Sequence, residues 1–305
     1  MTAKRPIRRI ACIGEVMIEL IAKPDGSARV GVAGDTFNTA VYLARALRGS
    51  DVSVAYVTAL GTDPYSDRIL DEINRHGIDA SLVEQRDGQM PGLYAIDTDE
   101  NGERSFSYWR SAAAARQLFS PGGTVSFRDL DGFDMVLFTG ISIAILPAEI
   151  RDAVIRWAQN FSAAGGTIVY DSNYRPRLWE NAQTARDVNA KMWRLADIAL
   201  PSVDDEQALF SDANADAVAA RLKGWNVTRG AMKRGPEGPL DLAGEHVFEP
   251  SNVKINVVDT TAAGDSFNAG YLAAIALGQS SGQAMQAGHD LAGRVIAAPG
   301  AIIPE

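Results

Sequence analysis

The sequence predicts an α/β protein built around a mostly parallel sheet, for three reasons. Short β-branched runs alternate with longer segments of helical period, which is the pattern of strands joined by crossover helices. The chain has 305 residues, of which 46% are hydrophobic and 22% charged, enough to bury one large core. No internal repeat, low-complexity tract or proline-rich linker divides it. We therefore expect a single domain over residues 1–305.

The strands of the main sheet are expected where apolar and β-branched residues cluster between turns. They lie at residues 9–13, 52–59, 135–139, 167–171, 198–200 and 230–233. The clearest helices lie at residues 36–47, 64–76, 147–163, 182–195 and 266–277. Because parallel strands need long crossover connections, this order places the helices on the faces of the sheet.

Two stretches break the alternation, residues 15–32 and 92–110. In the second, residues 93–97 and 105–109 alternate on either side of the turn Asp99-Glu100-Asn101-Gly102, which is a hairpin pattern. Strands inserted here would form a small projecting sheet, and an aromatic-rich flap of this kind is a natural lid over a ligand. Because a projecting sheet has exposed edges, we also expect a homo-oligomer.

The composition excludes several classes of function. Twenty-nine Lys and Arg residues against 38 Asp and Glu residues leave a net charge of −9, which gives no global attraction for nucleic acid or an anionic membrane. Three histidines and one cysteine, Cys12, are too few for a zinc site. No apolar run approaches the roughly 18 residues of a membrane span, and the apolar stretch at residues 10–13 is too short for a signal peptide, so we expect none. We expect a cytoplasmic protein.

The common nucleotide-binding motifs are absent. No two of the 28 glycines are separated by a single residue, and lysine never follows glycine. These facts exclude the dinucleotide fingerprint, the protein-kinase glycine loop and the Walker loop, so a nucleotide would need another backbone arrangement. Residues 278–282 match the GxSxG pattern of hydrolases around Ser280. However, a helical segment precedes Ser280 where that motif requires a strand, which favours a helix end and a loop.

The strongest chemical pattern is Asp-Thr-Thr-Ala-Ala-Gly-Asp at residues 259–265, directly before a helical run. The unpaired N–H groups of a helix's first turn bind anions. We expect Asp265 to accept a proton from an attacking hydroxyl while backbone amides stabilise a transferring phosphoryl group. The residues expected to supply those amides are Ala262, Ala263, Gly264 and Asp265. Helix capping by Asp265 is the alternative explanation of the pattern.

This segment resembles the C-terminal signature of the ribokinase-like (PfkB) sugar kinases, with Ala262 where glycine is commoner. Residues 34–40, Gly-Asp-Thr-Phe-Asn-Thr-Ala, are similar to the family's N-terminal sugar-binding signature, with Ala33 replacing its first glycine. The resemblance implies an ATP-dependent sugar kinase with a three-layer α/β/α sandwich and a β-sheet lid. The residues that it places on the sugar hydroxyls are Gly34, Asp35, Asn38 and Asp265.

Within the family, five further stretches resemble the members that phosphorylate the sugar acid 2-dehydro-3-deoxygluconate at its 6-hydroxyl. They are residues 14–20, 91–94, 102–110, 171–179 and 301–304. In a net-negative protein, a substrate carboxylate needs placed arginines with forked donors, and Arg110 and Arg175 are the candidates. Tyr94 and Tyr108 are expected to donate their hydroxyls to the substrate. Surface ion pairing and hairpin packing are the alternatives for these residues.

The resemblance implies ATP as the phosphate donor, with Mg²⁺. The residues that it places along ATP are Ser172, Asn173, Arg175, Lys233, Gly235, Gly238, Ala263 and Gly264. Ser202 and Asp205 stand where the family often has Asn-x-x-Glu, a stretch associated with Mg²⁺. Because Mg²⁺ keeps waters and nucleotide oxygens as ligands, we expect no protein-built metal cage. The alternatives are another family sugar (2-keto-3-deoxygalactonate, fructose or ribose), or a catalytically silent sugar-binding regulator.

Overall fold

The structure is a computed structural model that describes residues 3–23, 25–98, 104–249 and 255–305. The strands are β1 (Arg9–Ile13), β2 (Met17–Ala22), β3 (Ala28–Ala33), β4 (Ser53–Leu60), β5 (Asp79–Gln85), β6 (Gly92–Thr98), β7 (Arg104–Trp109), β8 (Met135–Thr139), β9 (Thr167–Asp171), β10 (Ile198–Ala199), β11 (Ala231–Met232) and β12 (Leu240–Asp241). The helices are α1 (Asp35–Ala46), α2 (Pro64–Arg75), α3 (Phe127–Leu130), α4 (Gly140–Ala144), α5 (Ala148–Ala163), α6 (Ala182–Leu195), α7 (Val203–Phe210), α8 (Ala215–Gly224), α9 (Ala263–Ala276) and α10 (Ser281–Ile296).

The central sheet has six strands in the order β10, β9, β8, β1, β4, β5, and every neighbouring pair is parallel. From β1 the chain builds outward through β4 and β5 on one side, and later through β8, β9 and β10 on the other. The strand order therefore reverses between β1 and β8. In open α/β sheets, ligands bind at the carboxyl ends of the strands beside such a reversal.

Apolar side chains cover both faces of this sheet. Along β1, Ala11 and Ile13 belong to one buried cluster, whereas Ile10 and Cys12 belong to the other. The first cluster includes Trp157 of α5 and Trp193 of α6, and the second includes side chains of α1, α2 and α9. Helices therefore pack on both faces, and the predicted three-layer α/β/α class is confirmed.

A second sheet of four strands, in the order β3, β2, β6, β7, forms the lid. β2 pairs in parallel with β6, and the two outer pairs are antiparallel. All four strands lie in or at the edges of the two stretches that broke the sequence pattern. The predicted hairpin turn, residues 99–102, lies outside the described residues. The register aligns Glu19, Tyr94 and Tyr108 in one row across the lid.

Some elements differ from the sequence prediction. β5 was not predicted. It is an edge strand of the central sheet, and its sequence, Asp-Ala-Ser-Leu-Val-Glu-Gln, lacks a continuous apolar run. The strand expected at 230–233 is only Ala231–Met232, which pairs antiparallel with β12. The short helices α7 and α8, and the long helix α10, were also not predicted.

Helix α10 explains the hydrolase-like match. The Ser280 hydroxyl oxygen accepts from the backbone N–H of Gln283 at 3.3 Å, so Ser280 is the N-cap of α10. No strand enters Ser280, since α9 ends at Ala276 just before it. Ser280 therefore does not have the structural context of the hydrolase GxSxG motif, and the hydrolase alternative is wrong. Within the described ranges, no helix combines the length and the apolar character needed to cross a membrane.

Candidate active site

A cleft of about 2090 Å³ lies between the lid and the carboxyl ends of the central strands. Asp171, the last residue of β9, lines it from the sheet side, and Tyr94 and Tyr108 line it from the lid. Asp35 and Asp265, in the first turns of α1 and α9, also line it. The two sequence signatures, which are far apart in the chain, thus meet in one cavity.

The first turn of α9 presents unpaired backbone donors. Ala262 precedes the helix with φ 62° and ψ 17°, a left-handed conformation that is strained for alanine. The turn closes when the N–H of Ala263 donates to the carbonyl of Thr260 at 3.2 Å. Within the described residues, the N–H groups of Gly264 and Asp265 have no acceptor. Such N–H groups bind anions at helix N-termini, which makes this turn a candidate anion site, whereas the N–H of Ala263 is already bonded within the closing turn.

The carboxyl of Asp265 is fixed by α1. Asn38 Nδ2 donates to Asp265 Oδ2 at 2.8 Å, and Thr39 Oγ1 donates to the Asp265 carbonyl at 3.1 Å. Burial, together with the negative charges of Asp35 and Asp171, raises the pKa of Asp265 to about 8. A group with such a pKa is a stronger base than an ordinary aspartate, and it gains or loses its proton near pH 8.

Asp35 is held from two neighbouring segments. Thr139 Oγ1, at the end of β8, donates to Asp35 Oδ2 at 2.6 Å, and Asn173 Nδ2 donates to the same oxygen at 3.1 Å. Burial raises the pKa of Asp35. Gly34 precedes it at the N-cap of α1, where a Cβ would overlap the carbonyl oxygen of Glu15. Gly34 is therefore required by the close approach of two backbone segments, in addition to any contact with a ligand.

A largely buried cluster of three polar side chains, Lys233, Asp171 and Asn268, lies beside the candidate anion site. Lys233 Nζ lies 2.6 Å from Asp171 Oδ2 and 3.1 Å from Asn268 Oδ1. Asn268 Nδ2 donates to the same Asp171 oxygen at 2.6 Å. A Cβ built on Gly264 would lie 3.6 Å from Lys233 Nζ, so this ammonium adds positive charge close to the unpaired amides. Of these three residues, only Lys233 was predicted from the sequence to lie in the site.

Both predicted arginines line the cleft, and each already has a carboxylate partner. Arg110 Nη2 donates to Glu15 Oε2 in a largely buried ion pair. Burial raises the pKa of Glu15, and the charge of Arg110 opposes that effect. Arg175 is half-exposed, and its Nη1 lies 3.3 Å from Asp205 Oδ1.

The two predicted tyrosines differ in environment. The Tyr94 hydroxyl is buried and donates to Glu19 Oε1 at 2.6 Å. Tyr108 is 51% exposed, and in the described part of the chain its hydroxyl has no partner. The two rings lie 5.8 Å apart between centroids. Tyr108 therefore has a hydroxyl available for a ligand, whereas Tyr94 can offer one only by giving up Glu19.

The expectation that Ser172 points toward the phosphates of ATP is wrong. Ser172 is fully buried and does not line the cleft, and its hydroxyl accepts from the N–H of Ser202 at 3.5 Å. The chain turns directly after β9, since Asn173 has a left-handed φ of 30°, and this turn leaves Ser172 in the interior. Asp171 and Asn173 accordingly line the cleft, although the Asn173 amide is directed to Asp35.

Some of the residues that line the cleft were predicted from the sequence, and others were not. Gly235, the first residue of the short 3₁₀ turn Gly235–Glu237, and Gly238, directly after it, both line the cleft. The cleft is also lined by residues that were not predicted from the sequence, namely Val257, His289, Gly293 and Ile296. A capping box, Ser280 with Gln283, could have revealed α10, which carries three of them. Among the described residues, no group of three or more His, Cys, Asp or Glu side chains could hold a metal ion.

An acid beside the amide-lined start of a helix, covered by a β lid on a parallel α/β core, defines a small-molecule kinase. Residues 7–305 match the pfkB family carbohydrate kinase, and the chain belongs to this family. The resemblance found in the two signatures is thereby confirmed.

Relatives match along nearly the whole chain. A 2-dehydro-3-deoxygluconokinase of Escherichia coli (strain K12) is 42% identical over 302 residues, covering 97% of each chain. That of Haemophilus influenzae is 39% identical over 304 residues, covering 97% of this chain and 96% of the relative. The structure of aminoimidazole riboside kinase from Salmonella enterica, complexed with aminoimidazole riboside and an ATP analog, superposes with a TM-score of 0.81 at 21% identity. The match covers 96% of this chain and 94% of that one.

Proposed function

We propose that this carbohydrate kinase transfers the γ-phosphoryl group of ATP to the 6-hydroxyl of 2-dehydro-3-deoxy-D-gluconate, giving the 6-phosphate and ADP. The observation that carries the proposal is the position of Asp265, whose carboxyl lies in the same helical turn as the unpaired N–H groups of Gly264 and Asp265 itself. The near full-length relatives at 39–42% identity support the choice of substrate.

In the proposed reaction, Asp265 accepts the proton of the 6-hydroxyl as its oxygen attacks the γ-phosphorus. Asn38 keeps the carboxyl in place through its 2.8 Å hydrogen bond. The amides of Gly264 and Asp265, with the Lys233 ammonium, stabilise negative charge on the phosphoryl oxygens. Because the transition state of phosphoryl transfer is loose, most of the acceleration comes from positioning and charge stabilisation.

The substrate would lie between α1 and the lid. Asp35 and Asn38 would bind its hydroxyl groups, and the ring and free hydroxyl of Tyr108 would cover it. Arg110 and Arg175 would donate to its carboxylate, since forked guanidinium donors match that group.

ATP would occupy the other end of the cleft. Its phosphates would approach the first turn of α9 and Lys233, and its base would lie between the Gly235–Gly238 turn and α10. Asp204 and Asp205 line the cleft, and hard carboxylate oxygens suit a Mg²⁺ ion that keeps most of its waters. Mg²⁺ carried by the nucleotide would neutralise phosphate charge, with these two residues holding its water shell.

We also propose that the chain folds as a single domain and forms a homo-oligomer. Every residue of the edge strand β7 is exposed, including Phe106 at 40% and Trp109 at 62%. An unpaired strand edge with exposed aromatic side chains favours association with a second copy. Analytical ultracentrifugation of the whole chain would test this, and a monomer at micromolar concentration would contradict it.

The proposed function is tested by measuring ADP release with four sugars side by side: 2-dehydro-3-deoxygluconate, its C4 epimer, fructose and ribose. We expect the highest kcat/KM with 2-dehydro-3-deoxygluconate. A preference for a neutral sugar would keep the kinase activity and contradict the substrate. Absence of turnover with all four would instead favour a catalytically silent sugar-binding regulator.

A further inference from the structure

The positive charges predicted for the cleft are largely neutralised by the protein itself. Arg110 pairs with Glu15, Arg175 pairs with Asp205, and Lys233 pairs with Asp171. An anionic sugar therefore meets arginines whose charge already has a buried or half-buried counterion. A net attraction for its carboxylate needs a further cation at the sugar end of the cleft.

Arg116 is a cation of this kind. It lines the cleft and is half-buried, and its guanidinium makes no ion pair or hydrogen bond with a residue in the described ranges. It lies in the 3₁₀ turn Ala114–Gln117, shortly after Arg110. That turn is anchored because the N–H of Ala114 donates to the Met90 carbonyl at 2.9 Å, and because Ala114 and Ala115 are buried. The backbone of Arg116 is thus held in a fixed position.

The carboxylates near Arg116 are bound to other arginines. The charge of Arg116 acts weakly on two of them. The pKa of Glu15 is governed mainly by burial, which raises it, and Arg116 opposes that rise slightly. The pKa of Glu180 is lowered mainly by its hydrogen bond to Arg151, and Arg116 adds slightly to that lowering. Glu15 is bonded to Arg110, and both oxygens of Glu180 accept from Arg151. Arg116 therefore remains without a counterion of its own.

A second arginine of the cleft provides a contrast. Arg177 also lines the cleft and has no side-chain partner among the described residues, but it is exposed. Water and salt screen an exposed charge strongly and a half-buried charge less. Of the two, Arg116 has the environment in which a free guanidinium interacts more strongly with a ligand.

We propose that Arg116 is a specificity residue that supplies the uncompensated positive charge for the substrate carboxylate. This inference rests on the proposed function. The five N–H donors of its guanidinium can bind the carboxylate beside Arg110, so the two arginines together carry one net positive charge in excess of Glu15. The cleft then favours sugar acids over neutral sugars of the same shape.

The test compares Arg116→Gln and Arg116→Lys with Arg128→Gln, a variant that removes an exposed arginine on α3 away from the cleft. With Arg116→Gln, we expect the KM for 2-dehydro-3-deoxygluconate to rise about 10- to 100-fold, as for loss of a hydrogen bond to a charged group. The kcat and the KM for ATP should stay within about twofold. Arg116→Lys should recover part of the loss, and Arg128→Gln should match the wild type.

A neutral ligand separates charge recognition from a structural role. The amide of the same sugar acid, which keeps the 6-hydroxyl and is measured as an alternative substrate, should have nearly the same KM in the wild type and in Arg116→Gln. An unchanged KM for the acid in Arg116→Gln would overturn the inference, and so would equal weakening of the acid and the amide. Failure of the wild type to phosphorylate the acid would be seen first, and it would overturn the proposed function itself.

Discussion

The core side and the lid side of the cleft are built differently. On the core side, Asp265, Asp171 and Lys233 are joined to asparagine side chains by hydrogen bonds of 2.6–3.1 Å that connect α1, β9 and α9. On the lid side, β7 is exposed along its whole length, and the Tyr108 hydroxyl has no partner in the described part of the chain. The groups proposed for proton and phosphoryl transfer are thus held by hydrogen bonds before a ligand binds, whereas the proposed covering group Tyr108 has a hydroxyl available to a ligand. We expect core substitutions to lower kcat and lid substitutions to raise KM.

The largest effect is expected for Asp265→Asn on the core side. The amide cannot accept the proton of the 6-hydroxyl, although it can still bond to Asn38. We expect kcat to fall by about 10³-fold, within the range that general-base catalysis contributes, while the dissociation constant of ATP changes less than about twofold. Steady-state kinetics and calorimetric titration would measure the two quantities. Turnover like that of the wild type would refute the role of Asp265.

The raised pKa of Asp265 predicts the pH dependence of both activity and stability. The base must be ionised, so kcat/KM should rise about tenfold per pH unit up to a pKa of about 8. The folded state holds this proton more tightly than the unfolded state, whose Asp pKa is about 3.9. Stability therefore falls as the pH rises toward 8, and Asp265→Asn should have the higher Tm at pH 8 but not at pH 4. A Tm difference independent of pH would contradict this.

Arg110, which directly follows β7, connects the lid to Glu15. Arg110→Ala should raise the KM for the sugar acid about 10- to 100-fold, because a hydrogen bond to a charged group is lost. It should also destabilise the fold by about 3–5 kcal/mol, since Glu15 is left buried without its partner. The double variant Arg110→Ala with Glu15→Gln should recover stability but not the KM. Recovery of both would show that Arg110 acts only through folding.

The fold could be predicted largely because its central strands are buried on both faces. Runs such as Met-Val-Leu-Phe-Thr in β8 have no polar alternation, and this marks them as central strands of a parallel sheet. The edge strand β5 has polar residues at alternate positions and no such signal. The two-residue strands β10 and β11 depend on neighbouring segments for their pairing, so local sequence could not give their limits.

The site was predictable where one segment carries the chemistry. Gly264 and Asp265, like Asp35 and Asn38, lie within one helical turn of each other, so short motifs place them. The partner of Arg110, and the lack of one for Arg116 among the described residues, could not be predicted, because both depend on contacts between distant segments. Arg110 and Glu15, for example, are separated by 95 positions along the chain.

The smallest effect is expected for Arg104, where the two sides of the cleft meet. Arg104 Nη1, at the start of β7, lies 2.5 Å from Asp259 Oδ1. Asp259 also accepts from the N–H groups of Thr261 and Gly300. Although burial alone would raise the pKa of Asp259, these donors lower it to about 2, so the carboxylate stays ionised. This ion pair ties the lid to the segment that precedes the anion site.

Arg104→Gln should loosen the lid without moving the anion site, because Asp259 keeps its two backbone donors. A partly exposed ion pair contributes about 0.2–1 kcal/mol, so we expect the KM for the sugar acid to rise up to about fivefold with kcat nearly unchanged. Arg104→Lys, which keeps the charge, should behave more like the wild type. A fall in kcat of tenfold or more in Arg104→Gln would place this residue with the core side, because loss of lid closure alone leaves Asp265, Lys233 and the α9 amides in position.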